Sequence, residues 1–181
     1  FRYDSVQLSE HTANALAGLD LSTSVDGTLW LNIYGLHDAS LMAEIGSAFN
    51  LHPLVLEDIL NTDQRPKLDS FDDYLFFVTR FFSYDKATMQ IGSEQVSMIL
   101  GSNFVLTFQE RPTGSFDPIR ERLRANKGHI RKAGADYLAY ALLDVIVDRY
   151  FIVLEKVRFV TDQAVDDLPQ RPHGSAQFHG F

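Results

Sequence analysis

Apolar and polar residues follow a strand-like pattern in five parts of the chain, where β-branched and aromatic residues are concentrated. These parts are residues 1–8, 27–35, 74–85, 93–101 and 103–110. The turn-forming run Gly101-Ser102-Asn103 separates the last two parts. Residues 94–109 are therefore predicted to form a β-hairpin.

Helical spacing of apolar residues appears between the predicted strands. In residues 38–50, apolar side chains recur at every fourth position, at Leu41, Ile45 and Phe49. Pro53 and Pro118 each suit the first position of a short helix, where the missing backbone N–H costs little. Strands and helices that interleave in this way favour an α/β fold with helices packed on a mixed sheet.

From Ala135 the pattern is that of one long helix, with neither Gly nor Pro before Pro169. A helix of about 32 residues is about 48 Å long, which exceeds what a compact domain usually needs. We expect an α/β domain at residues 1–135 and a helix at 136–168 that packs on the domain and then leaves it. Residues 169–181 are expected to form a linker-like tail, which contains His173 and His179.

The amino-acid composition narrows the possible classes of protein. The 24 acidic residues exceed the 16 basic ones, which gives a net charge of -8. This negative charge argues against nucleic acid as a partner and is compatible with the binding of cations. The chain has no cysteine, which excludes disulfides and cysteine-ligated zinc or iron–sulfur sites.

No stretch has the roughly 20 apolar residues that a membrane helix needs, and no signal peptide is visible. The most apolar segment, within the long helix, is interrupted by Asp144, Asp148 and Arg149. The chain begins at Phe1. We therefore expect a soluble piece of a longer protein.

The short helix that begins at Pro53 carries two adjacent acids. At about 100° per residue, Val55, Leu56, Ile59 and Leu60 lie on one side, and Glu57 and Asp58 lie on the other with Asn61. The pair is either a solvated polar face or part of a binding site, and the pattern alone favours the solvated face.

The long helix carries a second acidic feature. Five acids fall within about 40° of one another on a helical wheel, at Asp144, Asp148, Glu155, Asp162 and Asp166. A bound cation would relieve their mutual repulsion, and so would water or the neighbouring Arg149 and Lys156. The pattern leaves these alternatives open.

Both clusters offer only carboxylate oxygens, which suit a hard cation such as Mg²⁺ or Ca²⁺ better than Zn²⁺ or Cu²⁺. The six histidines have no metal-binding spacing, and His52 is expected to pack beside Pro53. The chain also lacks the glycine-rich phosphate-binding motifs and the nucleophile-elbow motif, so an enzymatic function has no positive support.

A basic segment lies between residues 111 and 132. It contains seven of the 16 basic residues: Arg111, Arg120, Arg122, Arg124, Lys127, Arg131 and Lys132. A surface for phosphate or anionic lipid is one interpretation. A solvated helix face that balances nearby acids is favoured, because no aromatic residues are interleaved for base stacking.

Several long motifs resemble one family. They are "LHPLVLEDILNTDQRPK", "DDYLFFVTRFF", "EQVSMILGSNFVLTFQE" and "FDPIRERLRANKGHIRKAGADYLAYALLDVIVDRYFIVLEKV". In this order they resemble the cytoplasmic amino-terminal domain of the CorA-type magnesium and cobalt transporters, over roughly residues 28–168.

The resemblance implies an αβα sandwich, in which a mixed sheet lies between helical layers, followed by a long C-terminal helix and a stalk. It also implies a homopentameric channel in the parent protein, at the cytoplasmic face of the membrane, in which Mg²⁺ binds between neighbouring subunits and favours the closed state. Co²⁺ or Ca²⁺ are possible substitutes for Mg²⁺. The family's acid pair corresponds to Glu57 and Asp58, and a further aspartate corresponds to Asp144; the acidic stripe adds Asp148 as a candidate metal ligand.

The sequence departs from the full family pattern, because it has no Gly-Met-Asn signature and no membrane span. The chain is therefore expected to be a sensory domain, with residues 169–181 as the start of a truncated stalk and contact with the membrane only through the missing helices. Two alternatives stay open. One is the same domain of a zinc transporter in the superfamily, and the other is a free-standing metal-dependent hydrolase that uses the acidic stripe.

Overall fold

The computed structural model of the chain describes residues 1–21 and 27–166. Its strands are β1 (Arg2–Tyr3), β2 (Leu8–Ser9), β3 (Thr28–Tyr34), β4 (Lys67–Ser70), β5 (Tyr74–Asp85), β6 (Gln90–Gly101) and β7 (Phe104–Gln109). Its helices are α1 (Ala39–Ala48), α2 (Pro53–Leu60), α3 (Asp117–Arg124) and α4 (Ala135–Asp166).

The strands form one seven-stranded sheet in the order β2-β1-β3-β7-β6-β5-β4. The pair β3–β7 is parallel, and the other neighbouring strands are antiparallel. This arrangement confirms the predicted α/β class and the mixed sheet.

Buried side chains alternate between the two faces of the sheet, as the two-residue period of a strand requires. One face packs against α3 and α4 through a cluster that includes Trp30, Val96, Val105, Leu123, Leu138 and Leu142. The other face packs against α1 and α2 through Ile33, Ile45, Val55, Ile59, Phe76 and Leu106. Helices therefore cover both faces, and the fold is the αβα sandwich that the family resemblance implies.

The predicted hairpin is confirmed. Strands β6 and β7 pair in antiparallel register from Val96↔Gln109 to Leu100↔Val105, and the connection lies after Gly101. A Cβ atom at Gly101 would clash with the ring of Phe104. Glycine is therefore required at this point because the aromatic ring lies directly over the backbone.

Two details differ from the expectations. Strand β4 pairs with β5 at the edge of the sheet, although its sequence was not predicted to be extended. Residues 1–8 form two short strands rather than one, because Asp4 makes a turn in which its Oδ1 accepts hydrogen bonds from the N–H groups of Val6 and Gln7.

Helix α4 packs on the sheet along its first half, and Val153 is the last buried side chain within residues 135–163. The Thr79 and Tyr150 hydroxyls lie 3.0 Å apart and connect β5 to this helix. Beyond Val153 the described side chains are mostly exposed. The predictions for residues 167 and 168 and for the tail at 169–181 lie outside the described residues.

In residues 1–21 and 27–166, no helix combines the length and the apolarity that are needed to cross a bilayer.

Candidate functional site

Helix α2 holds the acid pair Glu57 and Asp58. His52 caps its start, since the Nδ1 atom accepts a hydrogen bond from the N–H of Leu54 at 3.2 Å, and Pro53 occupies the first turn. This capping role was not foreseen, and the ring of His52 also lies 6.0 Å from that of Phe71.

The apolar side of α2 is narrower than the helical wheel predicted. Val55 and Ile59 are buried, and Leu56 is partly buried. Leu60, which was grouped with them, is 42% exposed. Two buried residues on adjacent turns therefore attach α2 to the sheet and hold its polar side outward.

Asp58 is partly buried and already has partners in its own chain. The Nζ atom of Lys67 lies 2.6 Å from Asp58 Oδ2, and the Gln64 amide donates to Oδ1. The backbone carbonyl of Asp58 also accepts from Gln95 Nε2 at 3.4 Å. Asp58 is thus a neutralised carboxylate that fastens the end of α2 to β4 and β6.

These contacts shift the pKa values of Asp58 and Lys67. Burial raises the pKa of the Asp58 carboxyl, but the hydrogen bonds from Lys67 and Gln64 outweigh burial and hold this pKa below its usual value. The hydrogen bond to Asp58 raises the pKa of Lys67 above its usual value. The stabilisation from Asp58 is therefore present above the carboxyl's ordinary pKa of 3.8 and is lost as pH falls through the lowered value. The stabilisation from Lys67 is present below 10.5 and is lost as pH rises through the raised value.

Glu57 is exposed. Its carboxylate makes no hydrogen bond or ion pair with the part of the chain that the structure describes. Of the two adjacent acids, Glu57 is therefore the one whose carboxylate has no partner in the described part of the chain.

Asp144 and Asp148 lie on α4 and are exposed. One acid of the stripe, Asp162, lies 3.6 Å from Arg158. Arg149 was considered as a counter-charge for the stripe, but its guanidinium lies over the ring of Phe81, 5.6 Å from the centroid. Asp144 and Asp148 have no basic partner within residues 1–21 and 27–166.

The structure does not bring the two acid pairs together in one chain. Helix α2 packs on one face of the sheet and α4 packs on the other, and face-to-face layers are separated by about 10 Å each. Among the described residues, no group of three or more acidic or histidine side chains is arranged to hold a metal ion. Any cation that contacts both pairs would have to lie between two copies of the chain.

Several side chains of the basic segment at residues 111–132 contact other groups of the domain. Arg124 makes two hydrogen bonds to Glu10, at 2.8 and 2.6 Å. Arg120 donates to Tyr34 Oη at 2.7 Å, and Arg131 donates to the carbonyls of Leu123 and Arg124. Arg120 also pairs with Asp117, so Arg120 and Arg124 contact acids as the favoured interpretation predicts, whereas the contacts of Arg131 are with backbone carbonyls.

The sequence interpretation missed Gln64 and Lys67, the partners of Asp58. They follow it by six and nine residues, in the stretch "QRPK" that was treated only as part of a motif. A basic residue at the start of an edge strand, soon after an acidic helix end, was the available signal. Its contact with Asp58 depends on how β4 pairs with β5.

Replacing Lys67 with methionine is expected to raise the pKa of Asp58 and to lower the free energy of unfolding at pH 7 by about 0.5–1 kcal/mol. The difference from wild type should shrink as pH falls below the ordinary carboxyl pKa, because the Asp58 carboxyl of the wild type then becomes protonated and its ion pair with Lys67 is lost. Urea unfolding between pH 3 and 8 measures this, and Lys86→Met, at an exposed lysine, is the control for loss of one charge. A difference that stays constant across this range would contradict the role assigned to the pair.

Solved structures share this architecture. The soluble domain of CorA from Methanocaldococcus jannaschii has a TM-score of 0.60, covering 77% of this chain and 54% of that chain at 15% identity. The ZntB cytoplasmic domain from Vibrio parahaemolyticus has a TM-score of 0.65, covering 90% of this chain and 63% of that chain at 12% identity. At these identities the likeness shows the fold alone, an αβα sandwich that this chain shares with both domains.

Sequence comparison identifies the family. The model of the CorA-like Mg²⁺ transporter protein family matches residues 25–177. The cobalt/magnesium transport protein CorA of Thermotoga maritima is 50% identical over 143 residues, which are 79% of this chain and 41% of that protein. The chain therefore belongs to the CorA-like Mg²⁺ transporter family, and it spans less than half the length of the curated relatives it matches.

Proposed function

We propose that the chain is the cytoplasmic, divalent-cation-sensing regulatory domain of a CorA-type Mg²⁺/Co²⁺ channel. Mg²⁺ bound between neighbouring subunits favours the closed state, and the pore lies in membrane helices of the longer parent. The parent is a homo-oligomer, a pentamer by family resemblance, at the cytoplasmic face of the cell membrane. The domain performs no catalysis of its own.

The observation that carries this proposal is the placement of the acids on opposite layers of the sandwich. Glu57 and Asp58 extend from the α2 layer, and Asp144 and Asp148 extend from the α4 layer. When domains stand side by side, the α2 layer of one can meet the α4 layer of the next. A dication between the carboxylates converts their repulsion into attraction.

The donor set supports Mg²⁺ over Zn²⁺. All four candidate ligands are carboxylates, and Mg²⁺ typically takes one or two carboxylates and keeps several of its waters. Glu57, Asp144 and Asp148 can hold such an ion directly. Asp58 has to share its charge with Lys67, which lies 2.6 Å away, so the affinity at this carboxylate is lowered.

Low affinity suits a sensor, because the site has to empty when the internal Mg²⁺ concentration falls. The ion shifts the balance between closed and open states only by its difference in affinity for them. Carboxylates from two subunits supply this difference in affinity, since they are close together in the closed state and separated in the open state.

Millimolar MgCl₂ is expected to raise the melting temperature of the chain relative to NaCl of equal ionic strength. At ten times the dissociation constant the ligand contributes about 1.4 kcal/mol, which corresponds to about 3–6 °C for a protein of this size. The variant Asp58→Ala with Asp144→Ala should lose most of this shift. Differential scanning calorimetry over a Mg²⁺ series measures it.

The matched control is Asp72→Ala with Asp73→Ala, which removes the same charge from an exposed acid pair in the turn before β5. The control should respond to Mg²⁺ as wild type does. If the Asp58 and Asp144 variant also responds as wild type does, those carboxylates are not the ligands. The same series with Co²⁺ and Zn²⁺ ranks the ions, and a larger shift with Zn²⁺ would favour the zinc-transporter alternative.

A further inference from the structure

The ammonium group of Lys67 lies between two carboxylates. Its Nζ atom is 2.6 Å from Asp58 Oδ2 and 3.1 Å from Asp69 Oδ2. Asp58 belongs to α2, whereas Asp69 follows Lys67 by two residues on β4, so the side chains of Lys67 and Asp69 share one face of the strand. The ammonium is therefore shared between a candidate cation ligand and a second acid on its own strand.

Both carboxylate oxygens of Asp58 accept hydrogen bonds within the chain. Oδ2 accepts from Lys67, and Oδ1 accepts from the side-chain amide of Gln64. The Asp58 side chain is nevertheless 24% exposed, so a cation can reach it from solvent. A cation that coordinates Asp58 directly has to displace one of these two donors.

Lys67 is the donor whose departure favours the cation, because its positive charge repels a dication whereas the Gln64 amide is neutral. Its stem is flexible, and its ammonium carries three N–H donors. The contact with Asp69 keeps the ammonium paired when the contact with Asp58 opens. The ring of Phe76 lies opposite Asp69 across the β4–β5 pair, and its centroid is 5.6 Å from Nζ. This ring also attracts the ammonium towards the side of Asp69.

We propose that Lys67 is an internal competitor of the cation, which neutralises Asp58 when no dication is bound and pairs with Asp69 alone when a dication binds to Asp58. This inference rests on the function proposed above, in which Asp58 is a ligand of Mg²⁺. Lys67 then sets the Mg²⁺ concentration at which the site fills. Each binding event has to break the contact between Lys67 and Asp58 and to bring two positive groups close together.

Titration of the chain with MgCl₂ at constant ionic strength, followed by NMR, tests the competition. We expect Lys67→Met to lower the dissociation constant for Mg²⁺ about fivefold to tenfold, because the repulsion from one positive charge is removed. Lys67→Arg keeps this charge and holds a carboxylate with a planar fork of donors, so the gain in affinity should be absent. The amide spectra check that the variants stay folded.

The matched control is Lys86→Met, which removes the same charge after the end of β5. Lys86 lies eight residues beyond Val78, the partner of Lys67 across the β4–β5 pair. This is about 26 Å along the strand, which exceeds the screening length of about 10 Å at 0.1 M salt. The dissociation constant of this variant should stay within about twofold of the wild-type value.

The side-chain resonances of Lys67 report the movement of the ammonium. Couplings across hydrogen bonds, from Lys67 Nζ to the carboxyl carbons of Asp58 and Asp69, identify the acid to which the ammonium is bonded. At saturating Mg²⁺ we expect the coupling to Asp58 to disappear and the coupling to Asp69 to remain. A coupling to Asp58 that persists at saturating Mg²⁺ would overturn the competition.

The variant Asp58→Asn separates a failure of this inference from a failure of the proposed function. If Asp58→Asn binds Mg²⁺ as tightly as wild type does, Asp58 is not a ligand, and the proposed site and the competition both fail. If Asp58→Asn weakens binding but Lys67→Met leaves the dissociation constant unchanged, the contact between Lys67 and Asp58 only fastens α2 to β4. In that case the competition is overturned and the proposed function stands without it.

Discussion

Replacing Trp30 with alanine is expected to lower the free energy of unfolding by about 3–5 kcal/mol. The indole is fully buried. It stacks on Phe1 with 5.4 Å between ring centroids, and it meets the edge of Phe116 at 6.1 Å. Truncation therefore leaves a cavity where Phe1, the interior strand β3 and the segment before α3 meet.

Such a loss is large beside the total stability of a domain, which is usually about 5–15 kcal/mol. The melting temperature should fall by roughly 10 °C. Urea unfolding followed by circular dichroism is the suitable measurement, because Trp30 is the only tryptophan and its fluorescence is lost in the variant.

The matched control is Phe159→Ala, which truncates an aromatic side chain that is 59% exposed. It should change stability by less than about 0.5 kcal/mol. A loss below about 1 kcal/mol for Trp30→Ala would mean that the site around the indole collapses on truncation, contrary to the packing described above.

Replacing Thr107 with valine is expected to cost about 2–4 kcal/mol, although the two side chains have nearly the same shape. The Thr107 hydroxyl accepts a hydrogen bond from Trp30 Nε1 at 3.0 Å and donates one to Asn32 Oδ1 at 2.6 Å. Valine would leave a buried indole N–H and an amide carbonyl without these partners, and buried polar groups are costly to leave unpaired.

Two further variants isolate the effect of the hydroxyl. Thr107→Ser keeps the hydroxyl and loses only a methyl group, so it should cost about 1 kcal/mol. Thr161→Val makes the same chemical change at an exposed residue of α4 and should be nearly neutral. Chemical denaturation of all three variants and of the wild type measures these changes in the free energy of unfolding. Equal losses for Thr107→Val and Thr107→Ser would show that packing, rather than hydrogen bonding, sets the stability at this position.

Local pattern was sufficient to predict most of the elements. The β6–β7 hairpin was predictable because Gly101-Ser102-Asn103 lies between two β-favouring runs. Helix α1 was predictable because Ile45 and Phe49, which are buried, recur at helical spacing. Strand β4 was missed because Leu68 is its one apolar residue and is 59% exposed. An edge strand of this kind is held by backbone pairing with β5, and its own side-chain pattern does not reveal it.

The candidate site was predictable only in part. The exposure of Glu57, Asp144 and Asp148 agrees with their places on the acidic sides of their helices. The partly buried state of Asp58 did not follow. It depends on Lys67, whose strand is placed by its pairing with β5.

The sequence by itself determined the helices, most of the strands, the acidic sides of α2 and α4, and the motifs that indicate the CorA-type family. Each of these depends on residues that are close together along the chain, where the helical or strand period, the turn-forming residues and helix capping determine the local structure. The tertiary structure decided that α2 and α4 cover opposite faces of the sheet and that Asp58, rather than Glu57, is paired with a lysine. Those results depend on strand order and register, which arise from many weak contacts between distant segments and therefore leave no local pattern in the sequence.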